Sequence, residues 1–210
     1  MSSPLKSIES YQGISQSEEV EGIVNNKTFS LFLTRLFHKI SLIKKICEEL
    51  EAVHKHGLVH GDFHPGNILN NKMFFGLLTE YCHITDLGLC RPVNEADRGK
   101  VYGILPYVAP EVLRGGKYIQ ASDIYSFAMV AYEVLTDSFP YYGVAHDEYL
   151  ATKICQGLRP SLEDAQVPQL LKDLVRMCWE TDPNDRPTAS ELREILNHLY
   201  EDSTNGTEFS

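Results

Sequence analysis

The sequence predicts an α+β fold that is mostly α, a helical bundle with one small β-hairpin. Apolar residues recur at helical spacing in four segments, whereas strand-like stretches are short and lie near residues 68–86. The composition, 43% hydrophobic and 10% aromatic in 210 residues, is typical of a globular domain with a sizeable core. We therefore expect one helical domain over residues 31–200.

The first helix is predicted over residues 31–56, where apolar side chains recur three or four positions apart and the pattern ends at His56-Gly57. The segment "SDIYSFAMVAYEVLT" (122–136) is apolar around most of its circumference, which predicts a buried central helix. Residues 169–179 and 190–200 predict two amphipathic helices. The last one begins with Thr188-x-x-Glu191, a capping-box pattern.

Two short strands are predicted between the first and the central helix, in "MFFGLLTE" (73–80) and "CHITDLG" (82–88). Residues 87–118 are rich in glycine and proline and predict a long loop. Long ordered loops in compact domains are usually functional.

The ends of the chain and its charge limit the possible function classes. Residues 1–30 are polar and predict a loose leader, and residues 201–210 predict a disordered tail. No run approaches the roughly 18 apolar residues that span a bilayer. A net charge of −10 argues against a nucleic-acid partner, which requires a basic face. Five scattered cysteines without a CxxC pair indicate reduced thiols, so we expect a cytoplasmic protein without a membrane partner.

The loop "HGDFHPGNIL" (60–69) carries the first candidate chemistry. Pro65 and Gly66 turn the chain between Asp62 and Asn67, so both side chains can point to one place. A carboxylate can accept a proton, and an amide oxygen can ligate Mg²⁺. Asp86, at a strand end, is the natural second metal ligand. The loop alone also allows a second interpretation, in which these are turn residues that bond their own backbone.

The sequence around this loop resembles the protein kinase family. "HGDFHPGN" resembles the catalytic loop H-R-D-x-x-x-x-N, and "DLG" (86–88) resembles D-F-G. "APE" (109–111), "SDIYSF" (122–127) and "CWETDPNDRP" (178–187) follow in the family's order. The last segment is most similar to tyrosine-kinase-like Ser/Thr kinases. The resemblance covers residues 36–200 and only the C-terminal lobe.

The resemblance implies a role for each matching residue. Asp62 would be the base at the substrate hydroxyl, and Asn67 and Asp86 would hold the two Mg²⁺ ions that bridge the ATP phosphates. Leu69 would form the apolar floor under adenine. His64 stands where many Ser/Thr kinases have a Lys that contacts the transferred phosphate.

Four further residues are expected to support this site. The resemblance implies that Asp123 accepts backbone N–H bonds from the loop, and that Glu111 and Arg186 form a buried pair. His60 is interpreted as a core histidine with satisfied hydrogen bonds.

Two residues depart from the family pattern. Gly61 replaces the Arg that answers to a phosphorylated activation loop, so we expect activity that does not need such phosphorylation. Ile104 replaces a Thr that Ser/Thr kinases usually keep near the catalytic Asp.

No G-x-G-x-x-G and no strand Lys precede residue 60. Roughly 35 residues are too few for a five-stranded lobe, because strands average about 5–6 residues. We therefore expect the N-terminal β-lobe to be missing from this chain or supplied separately.

Three functions fit these observations. The first is a protein kinase that transfers the ATP γ-phosphate to Ser/Thr hydroxyls, impaired or inactive as this chain alone. The second is a kinase-derived pseudoenzyme that acts as a protein-binding module. The third, a small-molecule phosphotransferase, shares the H-G-D-x-H-x-x-N loop but is disfavoured by "APE", "SDIYSF" and the Cys-Trp…Arg-Pro segment.

Overall fold

The computed structural model describes residues 26–70, 82–92 and 101–205. The chain divides into two units, residues 1–35 and residues 36–210. Helix α1 (Asn26–Lys55) begins in the first unit, and all the other elements belong to the second. These are β1 (Leu58–Val59), β2 (Ile68–Asn70), β3 (Cys82–Ile84), β4 (Arg91–Pro92), α2 (Pro110–Leu113), α3 (Gln120–Thr136), α4 (Glu148–Cys155), α5 (Gln169–Cys178) and α6 (Ala189–Asn205).

The predicted fold class, α+β and mostly helical, is confirmed. The described strands form two antiparallel pairs, β1 with β4 and β2 with β3. The β2–β3 pair lies within residues 68–86, where a hairpin was predicted, with Ile68 opposite Ile84 and Asn70 opposite Cys82. Strand β3 lies in the predicted strand 82–88, whereas β2 was not predicted as a strand. The predicted strand over 73–80 lies outside the described residues. The β1–β4 pair was not predicted, since two-residue strands are too short to show alternation.

Helix α3 is the central helix, as its sequence predicts. Every residue from 122 to 132 is buried, and the helix packs against α5 and against the 3₁₀ turn Leu105–Tyr107. Tyr125 and Phe127 are among the largest fully buried side chains. Burying a side chain of this size contributes roughly 1.5–3 kcal/mol. A helix that is apolar on all sides is thus stable only in the interior, where it can anchor the loops above it.

The other helices differ from their predictions mainly at their ends. Helix α1 starts at Asn26, before the predicted start at residue 31. The sequence pattern did not reveal this start, because the first residues of the helix are mostly polar and add little to the apolar stripe. The capping box at the start of α6 is present, with the Thr188 N–H donating to Glu191 Oε2 and the Glu191 N–H donating to Thr188 Oγ1. Helix α6 continues to Asn205, and the proposed boundaries at 1–30 and 201–210 remain predictions.

The glycine- and proline-rich stretch 87–118 contains short regular pieces as well as loop. The structure has 3₁₀ turns at Leu87–Leu89 and Leu105–Tyr107, and the short helix α2, which packs against α4. Helix α4 was not predicted. Its N-cap is Asp147, whose carboxylate accepts the Leu150 N–H at 3.0 Å. Among the helices of the described residues, none combines the length and apolar character needed to cross a membrane.

Candidate active site

The loop 60–67 is fastened to the central helix by one carboxylate. Asp123 is 1% exposed, and it accepts the backbone N–H groups of His60 at 2.8 Å and Gly61 at 3.0 Å. His54, on α1, adds a contact from its Nε2 to Asp123 Oδ2 at 2.9 Å. Breaking these hydrogen bonds would leave a buried carboxylate without partners, which is costly. Asp123 therefore holds the start of the loop in place.

The first residues of the loop have a backbone conformation and hydrogen bonds that suit its attachment to Asp123. Gly61 has a φ of 78°, which glycine adopts without steric cost. His60 is fully buried, with its Nε2 3.2 Å from the Thr85 carbonyl and its Nδ1 accepting the Asp62 N–H at 3.3 Å. His60 is therefore the satisfied core histidine that we expected.

Asp62 and Asn67 contact each other, as the turn between them suggests. The Asn67 Nδ2 donates to the Asp62 carbonyl at 2.9 Å and to the Asp62 Oδ2 at 3.2 Å. The cap of the 3₁₀ turn Pro65–Asn67 is His64, whose Nδ1 accepts the Gly66 N–H. The bond from Asn67 to the Asp62 carbonyl is one that the turn interpretation also predicts, whereas the bond to Oδ2 joins the two side chains themselves.

Asp86 follows directly after a residue that is bonded to the loop. The Thr85 N–H and Oγ1 donate to the Asn67 carbonyl at 2.8 and 3.1 Å. Asp86 is exposed and adopts left-handed backbone angles, φ 56° and ψ 54°. Among the described residues its carboxylate makes no hydrogen bond to Asp62 or Asn67. Strained backbone of this kind costs roughly 1–3 kcal/mol and clusters at functional sites.

A segment of the long loop lies against the other side of Asp62. Gly103 has a φ of 93°, and a Cβ added there would lie 2.8 Å from Asp62 Oδ1. Tyr118 holds the preceding residue, since its hydroxyl accepts the Tyr102 N–H and donates to the Tyr102 carbonyl, both at 2.7 Å. Only a residue without a side chain fits over the carboxylate at this distance.

His64 and Leu69 complete the predicted site. The His64 Nε2 lies 3.7 Å from Asp62 Oδ1. Leu69 is on β2 opposite His83, and it is 62% exposed. The site thus combines a carboxylate, an amide, an imidazole and an open apolar side chain.

The sequence model of the protein kinase domain matches residues 17–200. The chain belongs to the protein kinase family.

Named protein kinases are among the similar proteins. The chain is 34% identical over 155 residues to a protein described as a probable serine/threonine-protein kinase of Dictyostelium discoideum, over 74% of this chain and 11% of that protein. It is 30% identical over 193 residues to the serine/threonine-protein kinase mos of Patiria pectinifera, over 89% of this chain and 53% of mos. It is 30% identical over 173 residues to mitogen-activated protein kinase kinase kinase 7 of Drosophila melanogaster, over 80% of this chain and 24% of that protein. The chain therefore spans about half or less of these relatives.

The buried pair that the kinase resemblance implied is present. The two terminal nitrogens of Arg186 donate to the two carboxylate oxygens of Glu111, each at 2.8 Å. Burial alone would raise the pKa of Glu111, but the hydrogen bonds and charge of Arg186 outweigh it and lower that pKa. Glu111 is thus a fixed carboxylate that supports the kinase loops.

Sequence reasoning missed three residues that position the kinase site: His54, Thr85 and Gly103. His54 looked like any polar residue near a helix end, and Thr85 like any strand residue. Gly103 was one of several glycines in the long loop, and its closeness to Asp62 depends on tertiary packing. The only sequence signal that these three residues share is that each lies near one of the kinase motifs along the chain.

The chain's residues fit the ATP and Mg²⁺ that the kinase family uses. The Nδ2 of Asn67 donates to Asp62, so the amide oxygen of Asn67 remains available as a cation ligand. In the described parts of the chain, no three His, Cys, Asp or Glu side chains form a metal cluster by themselves. A cation here would therefore depend on Asn67, Asp86 and phosphate oxygens together.

Proposed function

We propose that this chain is the catalytic part of a kinase that transfers the γ-phosphate of ATP to Ser/Thr hydroxyls of proteins. The observation that carries the proposal is the contact of Asn67 with Asp62, in a loop whose far end is bonded to the residue before Asp86. A catalytic carboxylate and two oxygen ligands are then the chain's contribution to the reaction.

Asp62 would accept the proton of the substrate hydroxyl while the hydroxyl oxygen bonds to the γ-phosphorus of ATP. The bond from the γ-phosphorus to the ADP oxygen would break, and ADP would leave. Asn67 and Asp86 would hold Mg²⁺, which neutralises charge on the phosphate oxygens when it is bound. Leu69 would pack under the adenine through its exposed side chain.

The names of the relatives support the Ser/Thr preference, because two of the three proteins above are described as serine/threonine kinases. We keep the tyrosine-kinase-like subtype as part of the proposal, on the Cys-Trp…Arg-Pro segment. Impaired activity of this chain alone and a separate N-terminal lobe also remain proposals. They rest on the lack of a glycine-rich strand motif before residue 60. Cytoplasmic location is proposed from the five free cysteines.

The test is the binding of Mg-ATP to the chain, measured by calorimetry with and without Mg²⁺. Asp86→Asn is expected to abolish Mg²⁺-dependent binding, because it removes the charged ligand, and to leave the melting temperature unchanged. Asp137→Asn is the matched control, since Asp137 is also a left-handed, exposed aspartate, with a φ of 55°.

Equal binding of Mg-ATP by wild type and Asp86→Asn would refute the metal assignment. If the wild-type chain binds no nucleotide at all, the catalytic proposal for this chain fails and the pseudoenzyme alternative gains support.

A further inference from the structure

The two carboxylate oxygens of Asp62 have different surroundings. Oδ2 accepts a hydrogen bond from Asn67 at 3.2 Å. Oδ1 is buried and has no hydrogen-bond partner among the described residues. Leaving a buried acceptor without any donor costs roughly 1–3 kcal/mol, so this oxygen favours a donor from water or from a bound ligand. Oδ1 is therefore the oxygen that is free to receive a substrate proton.

A neutral His64 carries its proton on the ring nitrogen that lies 3.7 Å from this oxygen. The His64 Nδ1 accepts the Gly66 N–H at 3.1 Å, so Nδ1 carries no proton in this arrangement. A neutral imidazole then carries its proton on Nε2, and Nε2 lies 3.7 Å from Asp62 Oδ1. The side chains of His64 and Asp62 are 14% and 17% exposed, which limits competition from water.

The distance of 3.7 Å is longer than a hydrogen bond. His64 thus does not occupy the lone pairs of Oδ1, yet the dipole of its Nε2–H favours a carboxylate turned in this direction. Gly103 also restricts the space around Oδ1, because a Cβ there would lie 2.8 Å from the same oxygen. Oδ1 thus has the His64 ring and the Gly103 backbone as near neighbours.

We propose that His64 is a positioning residue, whose Nε2–H keeps Asp62 Oδ1 turned towards the substrate hydroxyl. This role rests on the proposed kinase function, and it acts through the base rather than through the transferred phosphate. The hydrogen bond from the Gly66 N–H to His64 Nδ1 selects the tautomer with the proton on Nε2, which this positioning role requires.

Two variants separate positioning from capping. His64→Asn keeps an acceptor for the Gly66 N–H, since Asn is a good cap residue, but it removes the donor near Asp62. His64→Gln keeps an N–H donor near the place of Nε2 but removes the cap. With Mg-ATP and a mixed Ser/Thr peptide pool, we expect His64→Asn to lower kcat by about tenfold to a hundredfold at an unchanged KM for ATP. His64→Gln should lose less kcat and more thermal stability.

A second measurement does not depend on activity. In chain labelled with ¹³C aspartate and ¹⁵N histidine, NMR is expected to show His64 as the Nε2–H tautomer. The Asp62 carboxyl signal, assigned by its loss in Asp62→Asn, should shift in His64→Asn more than in His64→Gln.

A His64→Asn variant with wild-type kcat, or an Asp62 signal that does not respond to it, would overturn the positioning role. An Nδ1–H tautomer would do the same. If the wild-type chain binds no Mg-ATP, the proposed function fails for this chain, while the NMR signals still decide whether His64 orients Asp62.

Discussion

Single residues of the site combine unusual backbone angles with close contacts. Asp86 and Gly103 both have positive φ, at 56° and 93°. Asp86 follows Thr85, which donates to the Asn67 carbonyl, and Gly103 lies against Asp62. Asp86 tolerates this conformation better than most side chains, because Asp is enriched there. At Gly103 the limit is steric as well, since Asp62 Oδ1 fills the space that a side chain would need.

Gly103→Ala should therefore damage the site more than it damages the fold. The new methyl group would meet Asp62 Oδ1 at 2.8 Å and force one of the two to move. We expect a loss of stability of about 1 kcal/mol from the positive φ, and a further loss of phosphotransfer as the carboxylate is displaced. Denaturant unfolding and peptide phosphorylation measure the two effects.

Gly115→Ala is the matched control for this substitution. Gly115 has a φ of 83°, and a Cβ there meets nothing within 4 Å. It should lose similar stability at full activity. Equal activity in the two variants would contradict the proposed closeness of Gly103 to the reacting oxygen.

At the scale of elements, helix α3 supports the catalytic loop through Asp123. This carboxylate joins the end of α1, through His54, to the backbone of residues 60 and 61. Gln120, one turn earlier, donates to the carbonyls of His54 and Leu58. The first turn of α3 thus fixes both the helix before the site and the loop that carries it.

Asp123→Ala is expected to destabilise the domain by about 3 kcal/mol or more, because two backbone N–H groups and His54 lose their partner at once. It should also weaken Mg-ATP binding, since Asn67 lies on the loop that is released. The measurements are denaturant unfolding and calorimetric titration.

Asp173→Ala, which breaks a pair with Arg176 at the surface of α5, serves as the control and should change stability by about 0–1 kcal/mol. If Asp123→Ala lost no more stability than this control, Asp123 would not support the loop as proposed.

For the molecule as a whole, the parts predictable from sequence were those with strong local patterns. Helix α3 could be predicted because it is apolar all round, and the α6 capping box because its two residues are three positions apart. The Asp62–Asn67 contact followed from the turn at Pro65 and Gly66. The Glu111–Arg186 pair joins residues 75 apart in sequence and came only from the family resemblance.

The remaining features depend on tertiary packing. The β1–β4 pair is two residues long, and only its long-range register, Leu58 opposite Pro92, defines it. The roles of His54 and Gly103 arise where distant segments meet at Asp123 and Asp62. No local periodicity predicts such contacts, so sequence reasoning proposed the site residues but not the groups that position them.

The Arg186 guanidinium joins several parts of the domain and gives a test at this largest scale. Its side chain is fully buried, and it donates to Glu111, to the Ala121 carbonyl at the start of α3 and to the Glu180 carbonyl after α5. Removing it takes away the positive charge and two hydrogen bonds of the largely buried Glu111 carboxylate, which keeps the Ser122 hydroxyl as a donor. We therefore expect Arg186→Met to lose about 3–5 kcal/mol of unfolding free energy at neutral pH.

The pH dependence of this loss tests its cause. With Arg186 present, the folded-state pKa of Glu111 is lowered, so its stabilisation is complete above the unfolded pKa of about 4.3 and is lost as pH falls through the folded pKa. Arg186→Met removes the two largest causes that lower this pKa and leaves the burial that raises it, so we expect the folded pKa of Glu111 to rise and low pH to destabilise the variant less than the wild type. The stability gap between wild type and Arg186→Met should consequently narrow as pH falls from 7 to about 4.

Arg176→Met, which breaks a surface pair with Glu163, should show a gap of about 0–1 kcal/mol that hardly changes with pH. A gap for Arg186→Met that is equally flat would mean that the lost contacts are packing contacts and that the charge of Glu111 is not what Arg186 stabilises.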